Sequence, residues 1–425
     1  MNFRKILFRV KDKFQNGVVS NHYKDIKVFI ESDRLINESQ LDKLLSHVKS
    51  NVPFYKNISQ LKLEEFPIVD KSLIKGNFDD FRAKNYLNKK IIIMTTSGST
   101  GTPFKVFQDL NKKARNHADT LYFGNLAGYN IGNRVIYMKI WAKQKMSHPF
   151  LYNLQNIIPV DVLNLDDKQL EKLVKKVEGL NKSYSVLGYV SALEQVVRYF
   201  EKNSKIKINA KIESVITMSE GLNRETKEKL QRLFDCPVVS RYSNLENGII
   251  AQQECNDKER FLINTASYCV EILDINTNMP LKDGQLGKIV VTDLFNFAMP
   301  LVRYDTGDLG VIERDAGNLY LSRVEGRKLD ILFDTKGNVV SSYIMYKNMW
   351  QYTEIDQYQL IQTGEKTYLF KINCPGKFKR EEQLVNEFLC YLGNDAEFKV
   401  EYVNEIPLLD SGKRRKTVNL YKKTI

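Results

Sequence analysis

The 425-residue chain carries 64 Lys and Arg against 51 Asp and Glu, a formal net charge of +13, with 43% hydrophobic and 27% charged residues. This is an ordinary globular composition with room for a large core and more than one domain. The positive balance suits nucleic acid, an anionic membrane or several phosphate-bearing ligands, but there is no zinc-finger spacing, RNA-binding signature or basic N-terminal tail, so no nucleic-acid partner is expected. Five scattered cysteines, Cys236, Cys255, Cys269, Cys374 and Cys390, give neither a disulfide framework nor a structural zinc and point to a reducing cytoplasm. No apolar run reaches the roughly 18 to 20 residues of a membrane span, and Met1 to Ser20 lacks the apolar centre of a signal peptide. A soluble, cytoplasmic protein is expected.

In chain order, Phe3, Leu7, Val10 and Phe14 recur at helical spacing among Arg4, Lys5, Arg9, Lys11 and Lys13. This basic amphipathic helix either packs its stripe on its own domain or lies on an anionic membrane. Leu41, Leu44, Leu45 and Val48 form a second stripe, which Pro53 ends. Phe66 to Lys71 reads as an extended approach to the next helix. The run Ile91-Ile92-Ile93-Met94 is short, uncharged and mostly β-branched, which suits a buried strand. It leads into Thr95-Thr96-Ser97-Gly98-Ser99-Thr100-Gly101-Thr102-Pro103. There, glycines let amide N–H groups turn inward and, with the hydroxyls, surround an anion; a polar surface turn is the alternative. The loop lacks the Lys-Ser/Thr pair of the P-loop NTPases.

Helical and strand-like segments then alternate: helices at 112–126, 167–180, 191–203 and 223–234, and strands at 134–141, 185–188, 214–218 and 238–241. Such alternation predicts an α/β fold, a largely parallel sheet covered on both faces with ligands at the strand ends. From Tyr268 the pattern turns to strands separated by glycine turns, a β-rich antiparallel part. Past Arg327 a small α+β unit follows, ending in the basic tail Ser411 to Lys423. The domain boundary is expected at 328–330, giving a large domain over 1–328 and a small mobile one over 329–425.

Five stretches in fixed order carry a family resemblance. Thr96 to Pro103 resembles the phosphate loop of the adenylate-forming (acyl-CoA synthetase-like, AMP-binding) superfamily. Tyr242-Ser243-Asn244-Leu245-Glu246 resembles its aromatic-and-glutamate motif, Arg303-Tyr304-Asp305-Thr306-Gly307-Asp308 its Arg-Tyr-x-Thr-Gly-Asp motif, Gly326 to Asp330 its hinge, and Pro407 to Arg415 its terminal lysine motif. Val52 to Tyr55, Phe66 to Lys71, Ser219-Glu220-Gly221-Leu222 and Gly287 to Thr292 resemble the branch of phenylacetate–CoA ligase, coenzyme F390 synthetase-like and CapK-like capsular polysaccharide biosynthesis proteins.

The resemblance implies an ATP-dependent, AMP-forming ligase. ATP phosphates would lie on Thr96, Ser97, Gly98, Ser99, Thr100 and Gly101. Ser219, Glu220, Arg327 and a stacking Tyr242 would complete the nucleotide site. Asp308 would take the ribose hydroxyls, Glu246 would serve Mg2+, Lys413 would reach the reacting carboxylate and α-phosphate, and Lys328 with Leu329 would form the hinge. Leu187 to Ser191 resembles the substrate stretch, with Tyr189 and Ser191 in an acyl pocket; the alternative is a packed sheet-to-helix turn. This sequence departs from the pattern at Ser243 (for glycine), at Leu245 (for a hydroxyl) and at Leu329 (for the hinge aspartate). Cys255 has no nearby histidine to complete the zinc site of some relatives, so zinc is not expected, and His22, His47, His117 and His148 form no metal spacing. The partners implied are a small carboxylic acid, ATP, and CoA as acceptor. An amine or hydroxyl of a surface-polysaccharide precursor at the inner face of the membrane is the alternative acceptor, and a non-catalytic nucleotide-binding assembly partner is the second alternative.

Overall fold

A computed structural model describes residues 3–32, 34–96, 104–141, 149–178, 183–206, 208–256, 258–327, 332–340, 343–349, 351–352, 354–376, 378–407 and 415–421. The chain opens with helices α1 (Phe3–Phe14), α2 (Val18–Ile30), α3 (Glu38–Asn51) and α4 (Lys71–Gly76), then strands β1 (Ile91–Thr96) and β2 (Phe104–Asp109) and helix α5 (Leu110–Leu126). The α/β alternation follows: β3 (Arg134–Lys139), α6 (Pro149–Gln155), β4 (Ile157–Asp161), α7 (Asp167–Glu178), β5 (Ser183–Tyr189), α8 (Val190–Lys202), β6 (Lys211–Met218), α9 (Arg224–Phe234) and β7 (Val238–Asn244). Next come β8 (Gly248–Gln253), β9 (Phe261–Ile263), β10 (Tyr268–Leu273), β11 (Leu286–Asp293), β12 (Tyr304–Asp315) and β13 (Asn318–Arg327). The C-terminal part holds β14 (Leu332–Phe333), β15 (Val339–Val340), α10 (Tyr343–Met349), β16 (Gln357–Gln362), β17 (Thr367–Asn373), α11 (Glu381–Leu392), β18 (Glu397–Tyr402) and β19 (Thr417–Asn419).

Polar residues set the helix starts. Asn37, Asp70, Asp109 and Asn223 each accept a backbone N–H of the first turn that follows, satisfying donors that have no partner inside the helix. Asp109 both ends β2 and caps α5, so strand passes to helix without a loop.

β3 to β7 are parallel and β7 onward antiparallel, yet all lie in one eleven-stranded sheet of order β10-β11-β12-β13-β9-β8-β7-β6-β5-β3-β4. The β-rich part is thus continuous with the parallel sheet. Register aligns Tyr189 with Met218 and Met218 with Arg241, so β5, β6 and β7 end in one row. Leu170, Val174, Leu193 and Val197 cover one side of these strands. The second sequence stripe is buried as expected, through Leu44, Leu45 and Val48. From β14 onward a separate core forms around Leu360, Phe370, Leu384 and Phe388, over the four-stranded sheet β18-β17-β16-β19.

The expectation of a buried strand at Ile91 to Met94 is corrected. β1 pairs only with β2, as an antiparallel two-stranded hairpin, and Ile93 is exposed. An apolar run signals burial on both faces only where other elements cover both. Here Phe104 and Val106 of β2 carry the packing instead.

α5 turns a polar stripe inward. Lys112 Nζ lies 2.8 Å from Asp293 Oδ2, both side chains fully buried, and donates to the Tyr268 hydroxyl at 3.0 Å. Tyr268 donates to the Asn247 carbonyl at 2.5 Å, and Gln108 Nε2 donates to the Glu246 carbonyl at 2.9 Å. Further along the helix, Arg115 Nε donates to Ser267 Oγ at 2.8 Å, and Ser267 and Asn264 donate to Asp119. Burial pushes the Asp293 carboxyl above its ordinary range, and Lys112 opposes that shift. Removing one partner of such a pair leaves a charge uncompensated inside the protein. Asp293→Ala is therefore expected to cost about 3–5 kcal/mol of stability, read as an earlier urea transition, whereas exchanging Asp79 for Ala, whose partner Arg82 is surface-exposed in part, should shift it by less than about 1 kcal/mol.

Candidate functional site

The site forms where the ends of the parallel strands meet β12. Tyr242, near the end of β7, donates its hydroxyl to Asp308 Oδ2 at 2.8 Å and to Thr306 Oγ1 at 3.3 Å. Burial, reinforced by the Asp308 carboxylate, pushes the Tyr242 phenol well above its ordinary value, so it stays a donor. The Asp305–Asp308 segment holds itself in shape: the Gly307 amide donates to Asp305 Oδ1 at 2.8 Å, and the Asp308 amide to Thr306 Oγ1 at 3.2 Å. Gly307 adopts φ 79°, a left-handed geometry that a side chain would strain. The β12–β13 register sets Arg327 opposite Asp308.

One step along β12, the buried Tyr304 hydroxyl donates to Glu246 Oε1 at 3.2 Å, and its own ionisation is pushed upward by burial and by the Glu246 carboxylate. The same Oε1 lies 2.6 Å from Lys71 Nζ; Glu246 is 2% exposed and Lys71 42%. Lys71 opens α4, and its ammonium stands 5.8 Å from the centre of the Phe104 ring. Phe104 pairs with Thr96 where β2 begins and β1 ends. The two ends of the 97–103 connection therefore stand beside the Lys71–Glu246 pair.

The other edge of the row is formed by β5 and β6. Glu220 accepts the Ser191 amide at 2.7 Å and the Ser191 hydroxyl at 3.2 Å, holding the first turn of α8. Ser219 sits at φ 71°. Tyr189 ends β5, its phenol pushed up to about 12 by burial and then by Tyr137 and Glu220. A core cavity of about 30 Å³ between the sheet and its helices is lined by Val186, Leu193 and Ile212, among others, and not by Tyr189 or Ser191. That is room for one water, not an acyl group.

Of the residues named from sequence, the structure joins Tyr242 to Asp308, Glu220 to Ser191, and Glu246 to Tyr304 and Lys71, and sets Tyr189, Ser219 and Tyr242 at neighbouring strand ends. Thr96 is placed by its backbone at the end of β1, and Arg327 by its backbone at the end of β13. Ser97, Gly98, Ser99, Thr100, Gly101, Lys328, Leu329 and Lys413 lie outside the described residues. Sequence reasoning missed Lys71, Tyr304 and Thr306 as site members, although all three stand inside stretches that carried the resemblance.

Glu246 supplies the oxygen donor that a hard cation such as Mg2+ takes from a protein, the other ligands coming from phosphates and water. Lys71 and Tyr304 both hold Oε1, so Oε2 is the oxygen that Glu246 would offer the cation.

In sequence and fold the chain resembles known proteins. Residues 332–420 match the family model described as the CapK C-terminal domain. Over 98% of its length the chain is 23% identical to Protein CapK of Staphylococcus aureus, covering 97% of that protein. The chain is thus similar to CapK along nearly its whole length, and its C-terminal part matches the CapK C-terminal family model. Phenylacetate-coenzyme A ligase of Pseudomonas putida is 22% identical over 73% of this chain and 74% of its own. The fold is shared with 2-hydroxyisobutyryl-CoA ligase in the postadenylation state with 2-HIB-AMP, which overlays with a TM-score of 0.70 at 16% identity, covering 90% of this chain and 88% of that one. ATP-bound MatB from Rhodopseudomonas palustris overlays with a TM-score of 0.56 at 15% identity, covering 76% and 66%.

Lys71→Met would leave Glu246 buried with a neutral donor alone. A double-mutant cycle with Glu246→Gln is expected to give a coupling of about 1 kcal/mol in thermal unfolding, allowing for the solvent that reaches Lys71. Strict additivity of the two losses would mean that the pair does not hold.

Proposed function

We propose that the chain activates a carboxylic acid with ATP and passes the acyl group to an acceptor, through the constellation Tyr242–Asp308 and Lys71–Glu246–Tyr304 at the strand ends. This pairing of nucleotide-binding and charge-bearing residues is the observation that carries the reading. A carboxylate is a poor acyl donor because its leaving group would be oxide. Its oxygen attacks the α-phosphorus of ATP, an O–P bond forms, the bond to the bridging oxygen breaks, and pyrophosphate leaves with the electron pair. Charge gathers on the phosphate oxygens, so donors fixed beforehand stabilise the transition state more than the ground state.

In this reading the amides and hydroxyls of Ser97 to Gly101 hold the phosphates. Tyr242 presents its ring to adenine, and its hydroxyl keeps Asp308 oriented towards the ribose hydroxyls. Arg327 and Ser219 flank the nucleotide, Glu220 fixes the α8 turn next to the acyl group, and Tyr189 and Ser191 wall that group. Glu246 would hold Mg2+, which when bound draws charge from the phosphate oxygens. Lys413 reaches the carboxylate and α-phosphate from the small domain, 329–425, which turns about Lys328 and Leu329 on the large domain, 1–328.

In the second step the acceptor attacks the acyl carbonyl, the bond to AMP breaks, and the acceptor's proton is released. A CoA thiol is the acceptor we favour, supported by the phenylacetate–CoA ligase relative. A second reading, transfer to an amine or hydroxyl of a surface-polysaccharide precursor, draws on the likeness to CapK along nearly the whole chain. Either acceptor suits the cytoplasm, and the second suits the inner face of the membrane.

ATP–pyrophosphate exchange against a mixed panel of aryl, short-chain and amino acids tests the first step. Exchange is expected with one class of acid and is expected to fall by about 100-fold or more in Lys413→Ala. Tight ATP binding with no exchange across the panel would instead favour a non-catalytic nucleotide-binding partner.

A further inference from the structure

α1 packs the opposite way from what its apolar pattern suggests. At about 100° per residue, Leu7, Val10 and Phe14 fall within an arc of about 60°, the stripe that would ordinarily face the core. In the structure Phe14 is 86% exposed, Leu7 47% and Val10 45%. The inward face carries Asp12 and Phe8 instead. Asp12 is 3% exposed and accepts the Val19 and Ser20 amides at 3.1 Å each, as well as the Ser20 hydroxyl. Gly17, at the N-cap of α2, has no side chain to do this, so Asp12 supplies the missing acceptors. Phe8 packs edge-on against His117 at 5.6 Å, and Arg4 donates to the Asn153 carbonyl at 2.8 Å. Together these contacts fix the roll of the helix and turn the apolar stripe to solvent. Leu154, next to Asn153, is also exposed.

Cations border the stripe on both sides. Lys11 lies about 40° beyond Leu7, and Lys13 and Arg9 beyond Val10 on the other flank; all three are exposed, as is Lys5. The helix has five basic residues and one acidic residue, and that acid is the buried Asp12.

We propose that α1 is a surface anchor that lays Leu7, Val10 and Phe14 into an anionic lipid bilayer, with Arg9, Lys11 and Lys13 on the headgroups. The charge pattern selects this occupant. A second copy docking by the same face would bring like charges together around the apolar contact, whereas acidic headgroups neutralise them. An apolar stripe and a basic border are the two signals that together give stable yet reversible attachment. The inference stands apart from the ligase reading, since no residue of the strand-end site takes part in it.

Co-sedimentation of the full chain with phosphatidylcholine vesicles, with and without phosphatidylglycerol, tests it. Binding is expected to the anionic vesicles only, and to weaken as salt screens the headgroups. Leu7→Ser with Phe14→Ser, and separately Lys11→Gln with Lys13→Gln, should each reduce the bound fraction by roughly tenfold. Unchanged thermal unfolding and unchanged ATP–pyrophosphate exchange without vesicles would show that fold and site are intact. No binding by the parent chain, equal binding to neutral vesicles, or a dimer in sedimentation velocity that Phe14→Ser dissolves would overturn the proposal, the last naming a second copy as the occupant.

Discussion

A lysine ammonium cannot stay charged in a protein interior without a counter-charge and hydrogen bonds, and Lys112 sits there fully buried. Its position obliges α5 to lie where Asp293 and Tyr268 can meet it. Asp293 closes β11 and Tyr268 opens β10, so the helix is pinned to the antiparallel half of the sheet. The Tyr268 hydroxyl, made a better donor by the ammonium it accepts from, holds the Asn247 carbonyl, while Gln108 at the end of β2 holds that of Glu246. The carboxylate of Glu246 therefore stands on a loop whose backbone is tied from two sides. An ion pair this deep adds little net stability over a packed apolar pair. What it fixes is the placement of the loop.

Lys71 reaches the same point by another route. Arg303 holds φ 49°, uncommon for a residue with a side chain. Its guanidinium binds both oxygens of Glu271 and the carbonyls of Glu64 and Phe66. The backbone continues the tie, since the Val69 amide donates to the Arg303 carbonyl at 3.0 Å and the Asp305 amide to the Val69 carbonyl at 2.8 Å. The segment leading into α4 is thus held against the start of β12, and Lys71 arrives beside Glu246. Several contacts determine the backbone of Arg303, which is the condition under which local strain persists. Tyr304 and Thr306, on the same stretch, face the site as a consequence.

These two ties also explain which parts were legible in the sequence. The alternation of strands and helices from Arg134 to Asn244 was readable because each element follows its hydrophobic period, and Asn223 marks a helix start by its own chemistry. Tyr242, Glu246 and Asp308 were readable as motif residues. The contacts that join them were not, because the helical spacing of Lys112, Arg115 and Asp119 does not say which way that face turns. Only the fold, by setting Ser267 and Asp293 opposite them, makes that face internal. Ile91 to Met94 misled in the reverse sense, since an apolar run does not say whether anything covers its second face. In α1 the periodicity correctly gave the helix and its stripe. It could not give the roll, which Asp12 decides by hydrogen-bonding to the next helix.

Among the described residues, α8 carries charged contacts between the C-terminal part and the rest of the chain. At its first turn Glu220 holds Ser191, beside the strand ends. Further along, Glu194 faces Lys416 at 3.9 Å and Arg198 faces Asp356 at 3.5 Å. The Arg198–Asp356 pair is about half exposed on both sides, and contacts of that kind contribute about 0–1 kcal/mol each. Among the described residues the apolar contact between the two parts is small, Phe333 packing with Leu309 and flanked by Ile275 and Leu286. By contrast, the core around Phe370 and Phe388 is closed within the C-terminal part itself. Among the described residues, burial therefore stabilises each part internally more than it joins them. The helix these charges act on is the one whose first turn lies next to Tyr189 and Ser191.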